Sequence, residues 1–214
     1  MKHLIKPVVL SLALLTAGAA NAADTMTSAL GGKVVYDATT NLSWIANANL
    51  AATNTFGVSG INANGSMTFH TAQNWITAMD ASKYLGYSDW RLPSSNFCAG
   101  YNCTGWSQMG NLFYNGLGQA AYQSITTTHN ANYRLFNNVQ SDFYWSGTEY
   151  APNLYAWSFE TNGGTQFAMS LNNDMFALAV RPGQVAAVPE PSEYALMAAG
   201  LGLMGFMVRR KKST

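Results

Sequence analysis

Residues 155–170 constrain the fold of this chain more than any other stretch. Tyr155, Trp157 and Phe159 alternate with Ala156, Ser158 and Glu160, a period of two that suits a strand. Asn162-Gly163-Gly164 follows, residue types that accept the left-handed backbone of a tight hairpin, and residues 166–170 return. Residues 144–146 and 176–181 repeat the scheme, so the last third of the chain predicts an antiparallel meander.

Upstream, residues 33–37 and 42–45 read as two more strands around the turn-forming Ala38-Thr39-Thr40-Asn41, and a Gly/Asn-rich loop covers 54–65. The spacing then changes. Ala72, Trp75, Ile76, Met79 and Tyr84 share one helical face, with Thr71 as N-cap and Gly86 as stop. A second helix is expected over about 107–122, its stripe of Met109, Leu112, Phe113, Leu117 and Tyr122 broken by Gly116 and Gly118. Short strands, two helices and a meander make an α+β domain with an antiparallel sheet, without the alternating βαβ units of a nucleotide-binding fold.

The two ends are built differently. Lys2 and Lys6, an apolar stretch over 8–15 and Ala20-Asn21-Ala22 have the order of a signal peptide, residues 1–22, with cleavage after Ala22 by signal peptidase following export through the Sec translocon. At the other end an uncharged run over 194–208 precedes Arg209, Arg210, Lys211 and Lys212, the order of a membrane helix with a cytoplasmic stop. Fifteen residues rise about 22 Å against a hydrocarbon core of roughly 30 Å, so such a span leans on local thinning. The expected organisation is signal peptide, a leader over 23–32, one domain over 33–183, a linker over 184–193, and a transmembrane helix with its basic stop over 194–212. Residues 23–183 hold five basic and eight acidic side chains, a net of −3, so the +1 of the whole chain belongs to its ends. No basic stripe is left for a phosphate backbone, which excludes nucleic acid as a partner.

Candidate chemistry is sparse. Cys98 and Cys103 are the only cysteines, and in an oxidising compartment their spacing reads as a small disulfide loop. A metal site would need more ligands, and His70 and His129 lie far away in sequence. A Ser-His-Asp hydrolase finds no Gly-x-Ser-x-Gly string, and phosphate-loop and zinc signatures are absent. Asp142, Glu149 and Glu160 offer carboxylates for glycoside hydrolysis only if the fold pairs them. Trp106, Tyr150 and Tyr155 are the aromatic candidates for stacking on sugar rings. In Asp89-Trp90-Arg91-Leu92-Pro93 the arginine sits between two residues that favour burial, so its guanidinium either bonds backbone carbonyls and a carboxylate or faces a ligand.

These strings resemble a known family. Val35-Tyr36-Asp37 with Asn41-Leu42-Ser43-Trp44, then Asp89-Trp90-Arg91-Leu92-Pro93, Tyr144-Trp145-Ser146-Gly147-Thr148-Glu149-Tyr150, Ala156-Trp157-Ser158-Phe159 and Ala179-Val180-Arg181-Pro182-Gly183 resemble the Lcl C-terminal-domain-like family of exported bacterial proteins. The resemblance implies a C-type-lectin-like fold, related to formylglycine-generating enzymes, and carries over no active site. The calcium-binding strings of sugar-binding lectins are missing, Ala151-Pro152-Asn153 coming near one without its acid. Val188-Pro189-Glu190-Pro191-Ser192 with the run and cations behind it resembles the PEP-CTERM sorting signal of Gram-negative bacteria that make extracellular polysaccharide, which implies processing by exosortase near Pro189-Glu190-Pro191.

The expectation is therefore a non-enzymatic, exported protein without a cofactor. It is held transiently in the inner membrane by its C-terminal helix, then placed on the cell surface or in the matrix, where it contacts polysaccharide or another envelope component. The alternatives are a secreted binder of a defined carbohydrate or protein, and a formylglycine-generating activity that would need both cysteines as thiols.

Overall fold

A computed structural model describes residues 26–127, 129–151 and 154–185, with Met197, Ala199 and Leu201. Strands β1 (Met26–Ala29), β2 (Val34–Asp37) and β3 (Leu42–Ile45) form an antiparallel sheet whose fourth strand comes from the far end of the domain, β8 (Val180–Pro182). The β2–β3 turn is set by Asp37. Its buried carboxylate accepts from the Thr39 and Thr40 amides at 2.9 and 3.3 Å and from the Thr40 hydroxyl at 2.6 Å, while Asn41 takes a left-handed backbone with φ 53°. An aspartate that caps its own following turn fixes the register Asp37↔Leu42 and Val34↔Ile45.

The second sheet is the expected meander with an addition. β5 (Phe143–Ala151), β6 (Tyr155–Glu160) and β7 (Thr165–Ser170) run in sequence, and a two-residue strand β4 (Gly100–Tyr101) joins the edge of β7. So two four-stranded sheets replace the single sheet expected. The reason is that residues 176–179 do not alternate: Phe176, Ala177, Leu178 and Ala179 are all buried, and this segment touches β5 only through a parallel bridge at Phe176 before it crosses the core to reach β3. β6 also departs from a half-buried pattern, since Ala156, Trp157, Ser158 and Phe159 are all buried and both of its faces are covered.

Helix α1 (Phe69–Ala81) buries Phe69, Ala72, Trp75, Ile76 and Met79 against β5. Its N-cap is Thr68, three residues before the expected Thr71, and the Thr68 hydroxyl accepts from the Thr71 amide. The second helix is shorter than its stripe. α2 (Gln108–Asn111) widens over residues 112–116, where the Leu117 amide reaches back to the Leu112 carbonyl at 2.8 Å, and the chain turns at Gly118 with φ 65°. Three buried indoles pin the connecting loops: Trp75 donates to the Asn54 carbonyl at 2.9 Å, Trp90 to Tyr84 at 3.1 Å and Trp145 to Met67 at 2.9 Å. Each such ring combines a large apolar payload with one donor that must find an acceptor once buried.

The C-terminal tail needs a correction. Met197, Ala199 and Leu201 are helical and exposed, but among the described residues no helix is long and apolar enough to cross a membrane. The transmembrane helix over 194–212 is therefore withdrawn, and with it membrane contact through that helix and transient inner-membrane anchoring. The physical reason was already present in the uncharged run over 194–208, which falls several residues short of the hydrocarbon core. The signal peptide, the Pro189-Glu190-Pro191 string and the cations Arg209, Arg210, Lys211 and Lys212 lie outside the described residues.

Candidate functional site

The Asp89–Pro93 string runs between the two sheets and is bonded to both. Trp90 is buried, and its amide donates to the Asp80 carboxylate at 2.9 Å. The Arg91 backbone pairs with Val180 of β8, with N···O distances of 2.8 and 2.9 Å. Two residues later the Pro93 carbonyl accepts from the Gly147 amide and the Ser146 hydroxyl of β5, both at 2.9 Å. Burial raises the Asp80 carboxyl above its ordinary value, the Trp90 amide partly offsets this, and the negative charge of Asp89 adds to it.

The two arginines of the seam are treated differently. Arg181 of β8 meets the Asp89 carboxylate with Nε at 2.7 Å and Nη2 at 3.0 Å, and its guanidinium lies 4.1 Å from the Tyr87 ring centre. Arg91 has no such anion. Its Nη1 donates to the Leu92 carbonyl at 3.1 Å and to Gln108 Oε1 at 2.8 Å, and among the described residues no carboxylate pairs with it. Partial burial lowers its pKa, the direction expected of a cation taken from water without a counter-charge.

Arg91 lines a cleft of about 520 Å³, the larger of two adjoining depressions. Gln73 and Ile76 of α1, Leu92 and Ser94 of the string's exit, and Gly147 and Thr148 of β5 line it with Arg91. Gly147 keeps β5 close to Leu92, since a Cβ there would lie a tight 3.2 Å from Leu92 Cβ. Across Ser94 lies a groove of about 320 Å³, lined by Thr40, Asn96, Thr104, Ser107, Gln108 and Asn111 with the exposed ring of Trp106. Gln108 ties the two together. Its side-chain oxygen accepts from Arg91 and from the Ser94 amide at 2.9 Å, and its own amide donates to the Ser94 carbonyl at 3.0 Å.

The groove rests on the disulfide loop. Cys98 and Cys103 are bonded, and buried Gln166 of β7 donates to the Asn96 and Cys98 carbonyls at 3.2 and 2.7 Å. The Asn96 amide in turn donates to the Trp106 carbonyl at 2.6 Å. A staple and an amide clamp thus hold a segment that has little apolar burial of its own. With both sulfurs in the disulfide neither is a thiol, the form that a formylglycine-generating activity would need.

The remaining candidates scatter. His70 is exposed on α1 with Nδ1 3.4 Å from Gln73, and His129 stacks on Tyr133. Asp142 accepts from the Phe143 amide at 2.7 Å, and Glu160 from the Thr165 hydroxyl at 2.7 Å. Among the described residues no group of three or more His, Cys, Asp or Glu could hold a metal ion. Tyr150 stacks with exposed Phe97, both rings resting edge-on against buried Trp157, and Tyr155 is half-exposed on the same strand as Trp157. Pro152 and Asn153 of the near-lectin string lie outside the described residues.

Comparison with known families places the whole seam inside one matched domain. Residues 33–181 match the Lcl C-terminal domain. The chain belongs to that family. Residues 187–211 match the PEP-CTERM protein-sorting motif. No curated protein matches the chain. In this Lcl C-terminal domain the family-like strings are bonded to one another: Trp44 pairs with Val180, Arg91 with Val180, Asp89 with Arg181, Pro93 with Ser146 and Gly147, and Tyr144 with Phe159. They form the framework. The disulfide loop and Trp106 lie outside those strings, and the adjoining groove draws its walls mainly from there. An Lcl C-terminal domain followed by a PEP-CTERM motif is the composition of an exported, exosortase-processed surface or matrix protein.

Proposed function

We propose that the Lcl C-terminal domain contacts glycan in the extracellular matrix, with the Trp106 groove as the contact. One observation carries this reading: an indole 58 % exposed lines a depression together with amides and hydroxyls. A sugar presents C–H faces that stack on an aromatic ring and hydroxyls that both donate and accept, and asparagine, glutamine, serine and threonine match both roles. The clamp on the loop holds that surface ready before the ligand arrives, which limits the ordering cost of binding.

A glycan array probed with the exported protein, with and without calcium, tests the proposal. Binding that survives chelation and is lost in Trp106→Ala supports it, and an array silent under both conditions overturns it. A defined protein ligand is the second reading, favoured by the exposed Phe97–Tyr150 pair above Trp157. Under that reading Phe97→Ser, and not Trp106→Ala, removes binding. Processing is tested separately by mass spectrometry of the mature protein. A full-length C-terminus in a strain with active exosortase breaks that part of the reading.

A further inference from the structure

Arg91 is a partly buried cation with an incomplete set of partners. Both acceptors it meets, the Leu92 carbonyl and Gln108 Oε1, are neutral and are reached through Nη1. Its Nε and Nη2 donate to nothing among the described residues and are not sealed from solvent, since neither is among the buried unsatisfied atoms. Desolvating a charge without a counter-charge is unfavourable, and a purely structural guanidinium has a better arrangement available in the same seam, as Arg181 shows with Asp89. Nε and Nη2 are the fork edge that matches the two oxygens of a carboxylate.

The surroundings limit what can bring that carboxylate. Gln73, Ser94 and Thr148 give the cleft neutral polar groups, while Ile76 and Leu92 give it apolar walls. Residues 23–183 carry a net charge of −3, so a polyanion is not gathered by general attraction and must be recognised at a point. Ser94 lines both the cleft and the Trp106 groove. A ligand lying along the groove can therefore place its next unit beside Arg91.

We propose that the Arg91 cleft is a carboxylate subsite, and that the glycan taken by this domain is one containing uronic acid. The inference rests on the glycan reading of the Trp106 groove. One sugar stacks on Trp106, and the carboxylate of a neighbouring uronate meets Nε and Nη2 of Arg91 in a two-point contact, with Thr148 and Gln73 on either side.

The test is calorimetric titration of the exported protein with oligomers of galacturonate, glucuronate and mannuronate, each beside its counterpart of equal length with the carboxyls reduced to alcohols. At least one uronate is expected to bind about tenfold more tightly than its reduced counterpart, the size of one good charge-assisted contact. Arg91→Gln should erase that difference. Gln73→Glu, an exposed α1 position that lines the same cleft and would add a carboxylate to it, should erase it too without touching Arg91. The comparison of acidic and reduced oligomers on the unaltered protein decides the matter even if Arg91→Gln does not fold. Equal binding of the two forms overturns the subsite and leaves the glycan reading standing. A uronate preference that persists in Gln73→Glu also overturns it, and binding of neither form removes both readings.

Discussion

Arg181 and Arg91 lie on segments that pair at Val180, yet one side chain is closed off and the other is left open. Arg181 has a carboxylate on two of its nitrogens and a tyrosine beneath its plane, with 11 % of its side chain exposed. Arg91 has a carbonyl, an amide oxygen and a cleft. The closed arginine belongs to the seam that joins first sheet to second. The open one faces a surface whose other walls come from α1 and from the disulfide-stapled margin. Within one family framework, then, the partners supplied by neighbouring segments decide which arginine serves the fold and which is available to a ligand.

The comparison predicts unequal responses to substitution. The largest loss is expected for Trp90→Ala, which removes the buried ring beside the closed arginine and should cost about 3–5 kcal/mol in chemical denaturation. A loss below about 1 kcal/mol there would mean the seam is not the framework. Replacing both cysteines by serine should cost about 2 kcal/mol, the entropy of so short a loop, and should free β4 from β7 while leaving the first sheet intact. Amide hydrogen exchange at Gly100 and Tyr101, compared with exchange at Val34 and Val35, reads that difference.

Asp89→Asn opens the closed arginine. The pair is partly exposed, 46 % at the carboxylate, so about 1 kcal/mol or less is expected, decreasing with salt. A salt-insensitive loss would show that the hydrogen-bond geometry and not the charge matters. Smallest is Asp80→Asn. The folded carboxyl is raised from 3.8, so the folded state holds its proton more tightly than the unfolded chain. Stability from this group is present below 3.8 and declines as pH rises from there through the raised folded value. The substitution should flatten that stretch of the pH profile and stabilise the protein slightly at neutral pH, provided the amide oxygen still accepts from Trp90. An unchanged profile would place the pH response elsewhere.

Legibility followed the range of the interactions. The hairpin of β6 and β7 and the stripe of α1 were readable, because alternation and helical spacing are local properties of the chain. The second helix was over-extended because its stripe continues through Gly116 and Gly118, while the backbone turns where glycine permits it. Residues 176–179 bridge β5 only at Phe176 and then pass to β3, a path that a run buried on every side does not reveal in one dimension. Of the site, Arg91 and Trp106 could be singled out by their neighbours in sequence. Gln108 and Gln166, which hold the groove in place, gave no signal beyond being glutamines.

What the chain alone determined was the local grammar: period-two strands, a capped helix, two cysteines close enough to bond, strings that identify the family, and a sorting motif behind them. Tertiary structure decided which sheet β8 joins, which of two arginines receives an aspartate, and that Ser94 separates a polar groove from a cleft holding a cation. Those outcomes depend on contacts between residues dozens of positions apart, Asp89 with Arg181 or Pro93 with Gly147. No periodicity encodes them, because such contacts exist only after the core has brought the segments together.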